Sequence, residues 1–248
     1  AGLSCGYFLA RDGFKVDIFE RHSQPGGLLT EGIPSYRYPR GVFQKELDYI
    51  KKTGVNIYTN TNVDRDKFLS LVEEYDAIIV ATGAQKGSKM NIEGEDDEYI
   101  FNGIDYLRAI NSGDLSSLKI KDGESVGVIG GGYTAFDVAR CSVRVGLKST
   151  IIYRRTVNEM TAHPGEVKEC EEEGIDFRFL RQPVKIERVG NKLKLICQVM
   201  KLGPVDESGR SRPVPIKNRF EEFLFDMIVV AIGDKPDLSY VGDRFCNE

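Results

Sequence analysis

A glycine-rich turn lies between an apolar run and a helix-forming run near the middle of the chain. Gly130, Gly132 and Ala135 occupy the small-residue positions of the pattern G-x-G-x-x-G/A, directly after the apolar run Val126–Ile129. In that pattern the first glycine permits a tight turn, the second lets backbone approach a pyrophosphate, and the third residue lets helix pack closely on strand. The N–H groups that begin the helix then face the anion. The pattern predicts a dinucleotide site.

Two arginines end the next predicted strand, where such a site meets the adenosine ribose. Arg154 and Arg155 follow the apolar run Ile151–Tyr153. Paired guanidinium groups offer charge-assisted, bidentate bonds to a 2′-phosphate, and two such bonds would favour NADPH over NADH by roughly a hundredfold. A solvated surface pair is the alternative interpretation, and the position after the strand favours the phosphate.

The amino end carries the same pattern with the opposite charge. Ala1-Gly-Leu opens a predicted helix, and the strand Val16–Arg21 follows it. Glu20 stands close to the place that Arg154 takes in the other copy, and its carboxylate can accept hydrogen bonds from ribose hydroxyls. This copy therefore predicts a dinucleotide without a 2′-phosphate, either FAD or NAD. Pro25–Leu28 forms a further glycine turn.

The repetition extends to a later strand in each copy. Asp76–Gly83 reads D-A-I-I-V-A-T-G, and Asp226–Gly233 reads D-M-I-V-V-A-I-G. Self-similarity at wide spacing indicates two modules of one fold. Strand and helix patterns alternate through both modules, as they do in a parallel sheet covered on both faces. The predicted fold class is α/β, with two Rossmann-like dinucleotide-binding domains.

Local signals place the elements around these motifs. Helices are predicted over residues 3–11, 41–53 and 65–74, and after a cap at Asn102. The polar stretch Asn111–Ser117 is the predicted passage into the second module. Between Val184 and Leu224, alternating apolar and polar residues with a two-residue turn at Gly190-Asn191 predict an antiparallel β-meander on the edge of the second sheet.

Composition limits the classes of function. The chain has 248 residues with 41% apolar content, enough for two domains. A net charge of -4 without a basic stripe argues against a nucleic-acid partner. No apolar run approaches the roughly 20 residues of a membrane helix. The expected location is cytoplasmic.

The cysteines favour reduced thiols over disulfides. They are odd in number, far apart in sequence and include no Cys-x-x-Cys pair, which is typical of a reducing compartment. Each is interpreted as a small apolar residue of the interior, with only Cys170, on a charged helix, expected at the surface. The five are Cys5, Cys141, Cys170, Cys197 and Cys246.

Taken together, the motifs resemble one known family over essentially the whole chain. They are Glu20, Gly26–Leu29, Gly32–Pro34, Arg37–Pro39, Ala81–Gly83, Gly130–Ala135, Asp137, Tyr153–Arg155, Met160, Glu166-Val167, Glu172–Gly174 and Ala231–Gly233. The set is similar to the small subunit of bacterial NADPH-dependent glutamate synthase. Its relatives include the flavin region of dihydropyrimidine dehydrogenase and the NADPH-side subunit of bifurcating ferredoxin:NADP oxidoreductases.

The resemblance implies an FAD domain interrupted by an inserted NADPH domain. It divides the chain into an FAD-binding domain at residues 1–111, continued at 234–248, and an NADPH-binding domain at 112–233. The implied FAD contacts are Ala1, Glu20, Arg21, Gly26, Gly27, Leu28, Arg37, Val63, Thr82 and Gly83. The implied NADPH contacts are Gly130, Gly132, Tyr133, Thr134, Ala135, Arg154, Arg155, Ala231, Ile232 and Gly233.

The resemblance also implies a reaction. Hydride passes from NADPH to flavin, and electrons then pass to iron-sulfur clusters, which would lie in missing segments or in a larger catalytic partner subunit. The cofactors carry this chemistry, so no catalytic side chain and no metal site are predicted, and His22 and His163 are interpreted as surface residues.

The chain departs from the family pattern in several places. Thr161 stands where relatives carry a third arginine. The first strand of the FAD motif is missing before Ala1, so its neighbours are expected to pack poorly. Two alternatives remain open: a module that binds NADPH without catalysis, and a thioredoxin-reductase-like flavoprotein, which would need a redox cysteine pair.

Overall fold

Two sets of residues, each packed within itself, define two units in the computed structural model. The structure describes residues 1–121, 123–207, 209–242 and 245. Unit 1 consists of Ala1–Lys86 with Lys235–Glu248, and unit 2 consists of Gly87–Asp234. The second unit is therefore inserted into the first, as predicted. The boundary predicted at residue 111 is wrong, because residues 87–111 supply a strand and a helix to unit 2.

Helices and short strands alternate in unit 1. They are α1 (Gly2–Arg11), β1 (Asp17–Phe19), α2 (Leu28–Glu31), α3 (Arg40–Lys51), β2 (Asn56–Tyr58) and α4 (Arg65–Glu74), followed by β3 (Ala84–Gly87), in which the chain enters unit 2. Strands β1 and β2 pair in parallel, with Ile18 opposite Ile57. The Asp64 carboxylate caps α4 by accepting a hydrogen bond from the Lys67 N–H at 2.9 Å. The predictions of α1, α3 and α4 are confirmed, with small differences at the ends.

A parallel sheet forms the centre of unit 2. The elements in chain order are β4 (Ile100–Asn102), α5 (Gly103–Ser112), β5 (Ser125–Ile129), α6 (Tyr133–Arg144), β6 (Lys148–Tyr153), α7 (Pro164–Glu172), β7 (Asp176–Phe179), β8 (Arg181–Val189), β9 (Lys192–Val205), β10 (Ser211–Phe225) and β11 (Met227–Val230), after which the chain returns to unit 1 in β12 (Asp234–Pro236). The sheet order is β4-β11-β5-β6-β7 with all neighbours parallel, while β12 pairs with β3. This order places β5 at the centre of a Rossmann-like sheet and confirms the predicted fold class.

The two faces of this sheet have different covers. Val126, Val128 and Ile151 face a buried cluster that includes side chains of α5, α6 and α7. Ile129 and Ile152 face the opposite way, into a second cluster with side chains of β8, β9 and β10. The antiparallel meander is therefore confirmed. Its predicted place on the sheet edge is wrong, because β8–β10 form a separate sheet whose apolar face covers the parallel one.

The apolar run at Ile78–Val80, predicted as a strand, is not one in the structure. These residues pair with no strand among the described residues, and the Ile79 side chain is 55% exposed. The matching run in unit 2 is β11, which lies between β4 and β5 with all four residues buried. Within its described residues, unit 1 has no strand beside this run. The backbone N–H and C=O groups of the run therefore form no inter-strand hydrogen bonds there.

Three of the described cysteines are buried and Cys5 is half-buried. The expectation that Cys170 is exposed is wrong, because its side chain turns from the charged surface of α7 into the core cluster of unit 2 and is 0% exposed. Cys246 lies outside the described residues. Within the described chain, no helix combines the length and the apolar content that crossing a membrane requires.

A group of ion pairs joins α6 to α7 across the surface of unit 2. The Arg140 guanidinium is buried and contacts Glu169 at 2.7 Å and Glu173 at 2.6 Å. Arg144 contacts the second oxygen of Glu173 at 2.7 Å. Hydrogen bonds from Arg144, and then from Arg140, lower the pKa of Glu173 to about 2, against a desolvation effect that opposes them. Glu173 therefore stabilises the fold only while it is ionised.

Acid is expected to remove this contribution. Because the pKa of Glu173 is depressed from 4.5 to about 2 in the fold, its contribution is complete above pH 4.5 and is lost as the pH falls towards about 2. At neutral pH, Glu173→Gln is expected to lower the free energy of unfolding by at most about 3 kcal/mol. Denaturant unfolding of both proteins across the acidic range measures this. A difference that stays constant with pH would contradict it, and Glu172→Gln, which removes an exposed carboxylate, is the control.

Candidate functional site

The glycine turn of unit 2 is held against the end of a neighbouring strand. Gly130 has φ +150°, and a Cβ there would lie 2.2 Å from the carbonyl oxygen of Ala231 and 3.2 Å from the Cβ of Ala135. Gly132 is different, because it has φ -102° and a Cβ there would meet only the Thr161 hydroxyl, at 3.3 Å. The first glycine is therefore required by packing, whereas Gly132 leaves space beside the backbone.

Helix α6 begins directly after this turn. Gly132 is its N-cap and has no side chain to accept from the first turn, so N–H groups there remain available to an anion. Tyr133, in the first turn, is 51% exposed, and Ala135 is buried where helix meets strand. The Tyr153 ring packs where a Cβ of Gly131 would lie, at 2.5 Å. The turn is thus rigid on its inner side and open at the helix start.

A second turn adjoins the first at the carboxyl ends of the strands. The Ala231 N–H donates to the Ile129 carbonyl at 2.8 Å, which places Ala231–Gly233 beside the glycine turn. A Cβ at Gly103, the first residue of α5, would lie 3.0 Å from the Thr134 methyl and 3.2 Å from Ala231. The structure therefore brings together two segments predicted as NADPH contacts. No sequence motif predicted that Gly103 lies so close to Thr134 and Ala231.

The Ala231–Gly233 turn is mixed in character. Ala231 is buried, Ile232 is 44% exposed, and Gly233 has φ +115°. Asp234 follows, and burial raises its pKa, while a hydrogen bond with Asn102 opposes that effect and the nearby Asp105 adds to it. An apolar side chain and a partly buried carboxyl therefore flank the glycine.

The two arginines after β6 differ sharply in environment. Arg154 is exposed. Arg155 is 5% exposed, and its guanidinium donates to the Asp206 carboxylate at 2.7 Å and to the Ser211 carbonyl at 2.9 Å. Arg155 therefore fastens the connection between β9 and β10 to the end of β6. The sequence treated the two as equivalent, and the structure leaves Arg154 as the residue open to a phosphate group.

The loop after the arginines also borders the glycine turn. The Tyr153 hydroxyl donates to the Glu159 carbonyl at 2.8 Å, and the Glu159 carboxylate accepts from the backbone and hydroxyl of Thr156 in a capping box. These bonds hold the loop that carries Thr161 beside Gly132. In the sequence, Thr161 was distinguished only because it replaces an arginine of the family. Its position beside Gly132 makes it a candidate ligand contact.

In unit 1, the Glu20 carboxylate lies at the end of β1. Its Oε1 accepts a hydrogen bond from the His22 N–H at 2.9 Å. The start of α1 lies near the second predicted contact segment, because a Cβ on Gly2 would be 3.4 Å from the Cβ of Ala81. Ala1 is the N-cap of α1, and its carbonyl accepts from the Cys5 N–H at 2.9 Å. The unit thus places the start of α1 beside Ala81, and the Glu20 carboxylate against the backbone of His22.

The glycine turn predicted in unit 1 has positive φ angles at both glycines. Gly26 has φ +128° and Gly27 has φ +56°, and a Cβ on Gly26 would lie 2.6 Å from the Phe43 ring. Leu28 begins α2 and is exposed. The Arg40 guanidinium donates to the carbonyl of Leu29 and, at 2.8 Å, to that of Ile33, which ties α3 to this segment.

The other predicted FAD residues occupy loops of unit 1. The Arg37 N–H donates to the Pro34 carbonyl at 3.0 Å, and its guanidinium lies 5.7 Å from the Tyr36 ring centre. Val63 is half-buried directly before the cap of α4, and Thr82 and Gly83 are exposed, Gly83 with φ +68°. Within the described part of the chain, no three His, Cys, Asp or Glu side chains are grouped to hold a metal ion.

A glycine turn and helix start at the carboxyl ends of parallel strands define a dinucleotide-binding protein. A model of the pyridine nucleotide-disulphide oxidoreductase family matches residues 1–244, and the chain belongs to that family. The predicted class, a pyridine-nucleotide-dependent oxidoreductase, is thereby confirmed.

Individual relatives agree with this assignment. The β subunit of the NADP(+)-dependent formate dehydrogenase of Moorella thermoacetica is 43% identical over 98% of this chain and 35% of its own length. The glutamate synthase [NADPH] small chain of Escherichia coli K12 is 34% identical over 95% of this chain and 52% of its own length. The resemblance to glutamate synthase small chains is confirmed. The chain spans about a third to a half of the length of these curated relatives.

Solved structures show the same fold at lower identity. FprA of Mycobacterium tuberculosis, in complex with NADPH, has a TM-score of 0.77 and 20% identity, over 94% of this chain and 68% of FprA. The thioredoxin reductase of Lactococcus lactis has a TM-score of 0.66 and 21% identity, over 96% of this chain and 76% of that protein. Similarity at this level establishes the fold.

Proposed function

We propose that the chain is the nucleotide-binding part of an FAD-dependent oxidoreductase that takes hydride from NADPH. Unit 1 is the FAD-binding domain and unit 2 is the NADPH-binding domain. The single observation that carries the proposal is the charge contrast at matching strand ends. Glu20 follows β1 in one unit, and the exposed Arg154 follows β6 in the other.

The residues of unit 2 fit a phosphorylated dinucleotide. Gly132 leaves room for a pyrophosphate at the start of α6, where the N–H groups and the helix dipole favour an anion. Arg154 offers a guanidinium to the 2′-phosphate. In unit 1, the backbone N–H of His22 orients the Glu20 carboxylate, which suits ribose hydroxyls. At the end of β1 the carboxylate of Glu20 takes the place that Arg154 has after β6, and Arg21 follows it.

The chain contributes binding and orientation to the reaction. When bound, the nicotinamide and flavin rings supply the hydride-transfer chemistry. The Gly130 and Ala231 turns locate the dinucleotide at the switch point between β5 and β11. No side chain of the chain is assigned as an acid, base or nucleophile.

The electrons leave for a partner in this proposal. The named relatives are subunits or chains longer than this one, and the iron-sulfur clusters expected of the family would reside in further segments or in a larger subunit. A glutamate-synthase-like assembly is the reference case. Free thiols in the described chain are in keeping with the cytoplasm.

Reduction of bound flavin tests the proposal. The purified chain is mixed with FAD, freed of unbound flavin and titrated anaerobically with NADPH or NADH while its visible absorbance is recorded. Retained yellow colour that NADPH bleaches much faster than NADH is the expected result. Retained flavin that neither nucleotide bleaches, or that NADH bleaches equally well, would contradict the proposed donor.

A second candidate is a module that binds NADPH through unit 2 without using flavin. It rests on unit 2 alone, where the glycine turn, the start of α6 and the Ala231–Gly233 turn lie together at one end of the parallel sheet. Calorimetry separates the two candidates: NADPH binding with no FAD binding supports the module. The disulfide-reductase alternative is disfavoured, because Cys141, Cys170 and Cys197 are all buried.

A further inference from the structure

A continuous chain of hydrogen bonds crosses unit 1 between segments that are distant in sequence. The Glu31 carboxylate lies 3.1 Å from His22 Nδ1. Arg21 Nε donates to His22 Nε2 at 2.7 Å, and Arg21 Nη2 donates to Gln85 Oε1 at 2.6 Å. Gln85 Nε2 donates to the Thr82 carbonyl at 3.2 Å. We call Glu31, His22, Arg21 and Gln85 the relay.

The chemistry of these groups determines which partner each nitrogen of the imidazole faces. A guanidinium can only donate, so Nε2 of His22 must be the acceptor for Arg21. On the other side of the ring, Nδ1 lies 3.1 Å from the Glu31 carboxylate. His22 therefore connects a cation on one side to an anion on the other.

The relay ends on the segments that bear the predicted FAD contacts. His22 follows Glu20, and its backbone N–H donates to the Glu20 carboxylate at 2.9 Å. Glu31 closes α2, which begins at the Gly26–Gly27 turn. At the other end, the Thr82 carbonyl belongs to the exposed turn that Gly83 completes with φ +68°. Gln85 lies in β3, directly after this turn, and β3 pairs with β12, so the bond from Arg21 to Gln85 connects the turn to the end of β1 through side chains.

We propose that Arg21 and His22 are positioning residues that hold the Glu20 turn and the Thr82 turn together, so that one flavin dinucleotide meets both. The inference rests on the proposed FAD role of unit 1 and deepens it. It changes the role of Arg21 from a predicted flavin contact to a support for other contacts. It also gives a role to His22, which the sequence presented as a surface residue.

Variants at His22 separate the hydrogen bonds from packing. His22→Phe keeps a ring but removes both bonds, whereas His22→Gln retains an acceptor for Arg21 and a donor for Glu31. We expect His22→Phe to raise the Kd for FAD about tenfold, the loss of one charge-assisted bond, and His22→Gln to restore most of the affinity. Lys45→Ala, which removes an exposed charge from α3 of the same unit, is the control and leaves the affinity unchanged.

Hydrogen exchange provides a readout without flavin. In His22→Phe, backbone amides of residues 81–86 are expected to exchange faster together with those of residues 20–31, while His22→Gln resembles the wild type. Equal loss of FAD in both variants, or faster exchange confined to residues 20–31, would overturn the relay. If His22→Phe exchanges faster than the wild type in both ranges but the wild type takes up no FAD, the proposed function of unit 1 fails, and the positioning role for flavin fails with it. If the wild type binds FAD and His22→Phe binds it equally well, the relay alone fails.

Discussion

Replacing Gly132 with valine is expected to abolish NADPH binding while unit 2 stays folded. The backbone of Gly132 has φ -102° and ψ 175°, which any residue adopts, and a Cβ there meets only the exposed end of Thr161 at 3.3 Å. The added side chain instead fills the space in front of the α6 N–H groups. Losing even two charge-assisted bonds to a pyrophosphate weakens binding by roughly a hundredfold or more.

The measurement is calorimetric titration with NADPH, together with thermal unfolding of the same sample. Replacing a glycine cap with valine costs about 1 kcal/mol of stability, so a small fall in Tm is expected. Gly41→Val is the matched control, because a Cβ there meets nothing within 4 Å and the residue lies on α3 of unit 1. An unchanged NADPH affinity in Gly132→Val would show that the nucleotide does not approach this turn.

Gly130 makes the contrast within the same turn. A Cβ at Gly130 would lie 2.2 Å from the Ala231 carbonyl oxygen, which is backbone and cannot move aside cheaply. Gly130→Ala is therefore expected to destabilise unit 2 by about 3 kcal/mol or more. The two glycines of one motif thus have separable roles: Gly130 packs against the Ala231 backbone, and Gly132 is proposed to admit the ligand.

The sequence correctly predicted those parts of the fold that depend on interactions between residues close together in the chain. The glycine turn, the cap at Asp64 and the alternation through Val184–Leu224 each state a backbone requirement in a few adjacent residues, and each is present. The parallel sheet of unit 2 followed from the same reasoning. Side chains alternate between the two faces of each strand, so the apolar runs of this sheet point to both faces. Each face is buried in its own hydrophobic cluster.

Non-local contacts explain the failures. Ile78–Val80 and β11 have nearly the same sequence, but a strand forms only where neighbouring strands complete its ladder. The unit boundary at residue 87 depends on where β4 pairs, and β4 pairs with β11, far along the chain. Strands that extend the edge of a parallel sheet and strands that form a sheet of their own both alternate apolar and polar residues. The sequence of β8–β10 therefore could not distinguish these two arrangements.

Site residues divide in the same way. The sequence found the two arginines after β6, but the Asp206 partner of Arg155 lies in a distant connection and left no local signal. The relay through His22 was missed for the same reason, since its Gln85 end is distant in sequence. Sequence motifs predict the candidate ligand contacts, whereas the contacts that hold those residues in position come from segments distant in sequence.

Arg154→Ala is expected to weaken NADPH binding by about ten- to a hundredfold and to leave NADH binding unchanged. The Arg154 side chain is exposed at the end of β6, where the 2′-phosphate is proposed to lie. NADH lacks that phosphate, so removing a guanidinium that binds it changes the affinity for one nucleotide only. The magnitude corresponds to one charge-assisted bond of about 1.5 to 3 kcal/mol.

Arg154 tests phosphate binding without disturbing the fold, whereas its neighbour Arg155 holds Asp206 and Ser211 in place. Arg155→Ala would leave the Asp206 carboxylate and the Ser211 carbonyl without the guanidinium that they share, so its effect on NADPH would mix folding with binding. At Arg154, an exposed position, the free energy of unfolding is expected to change by less than about 0.5 kcal/mol. Arg219→Ala, at an exposed position on β10, is the matched control.

Titrations of both nucleotides at low and high ionic strength complete the test of Arg154. The NADPH preference of the wild type should shrink as salt screens the exposed guanidinium, and Arg154→Ala should show little salt dependence of that preference. Arg154→Lys keeps the charge but cannot bind a phosphate in bidentate fashion, so an intermediate preference is expected. If Arg154→Ala weakens NADPH and NADH equally, the residue does not read the 2′-phosphate, and the charge contrast with Glu20 would no longer distinguish the two units.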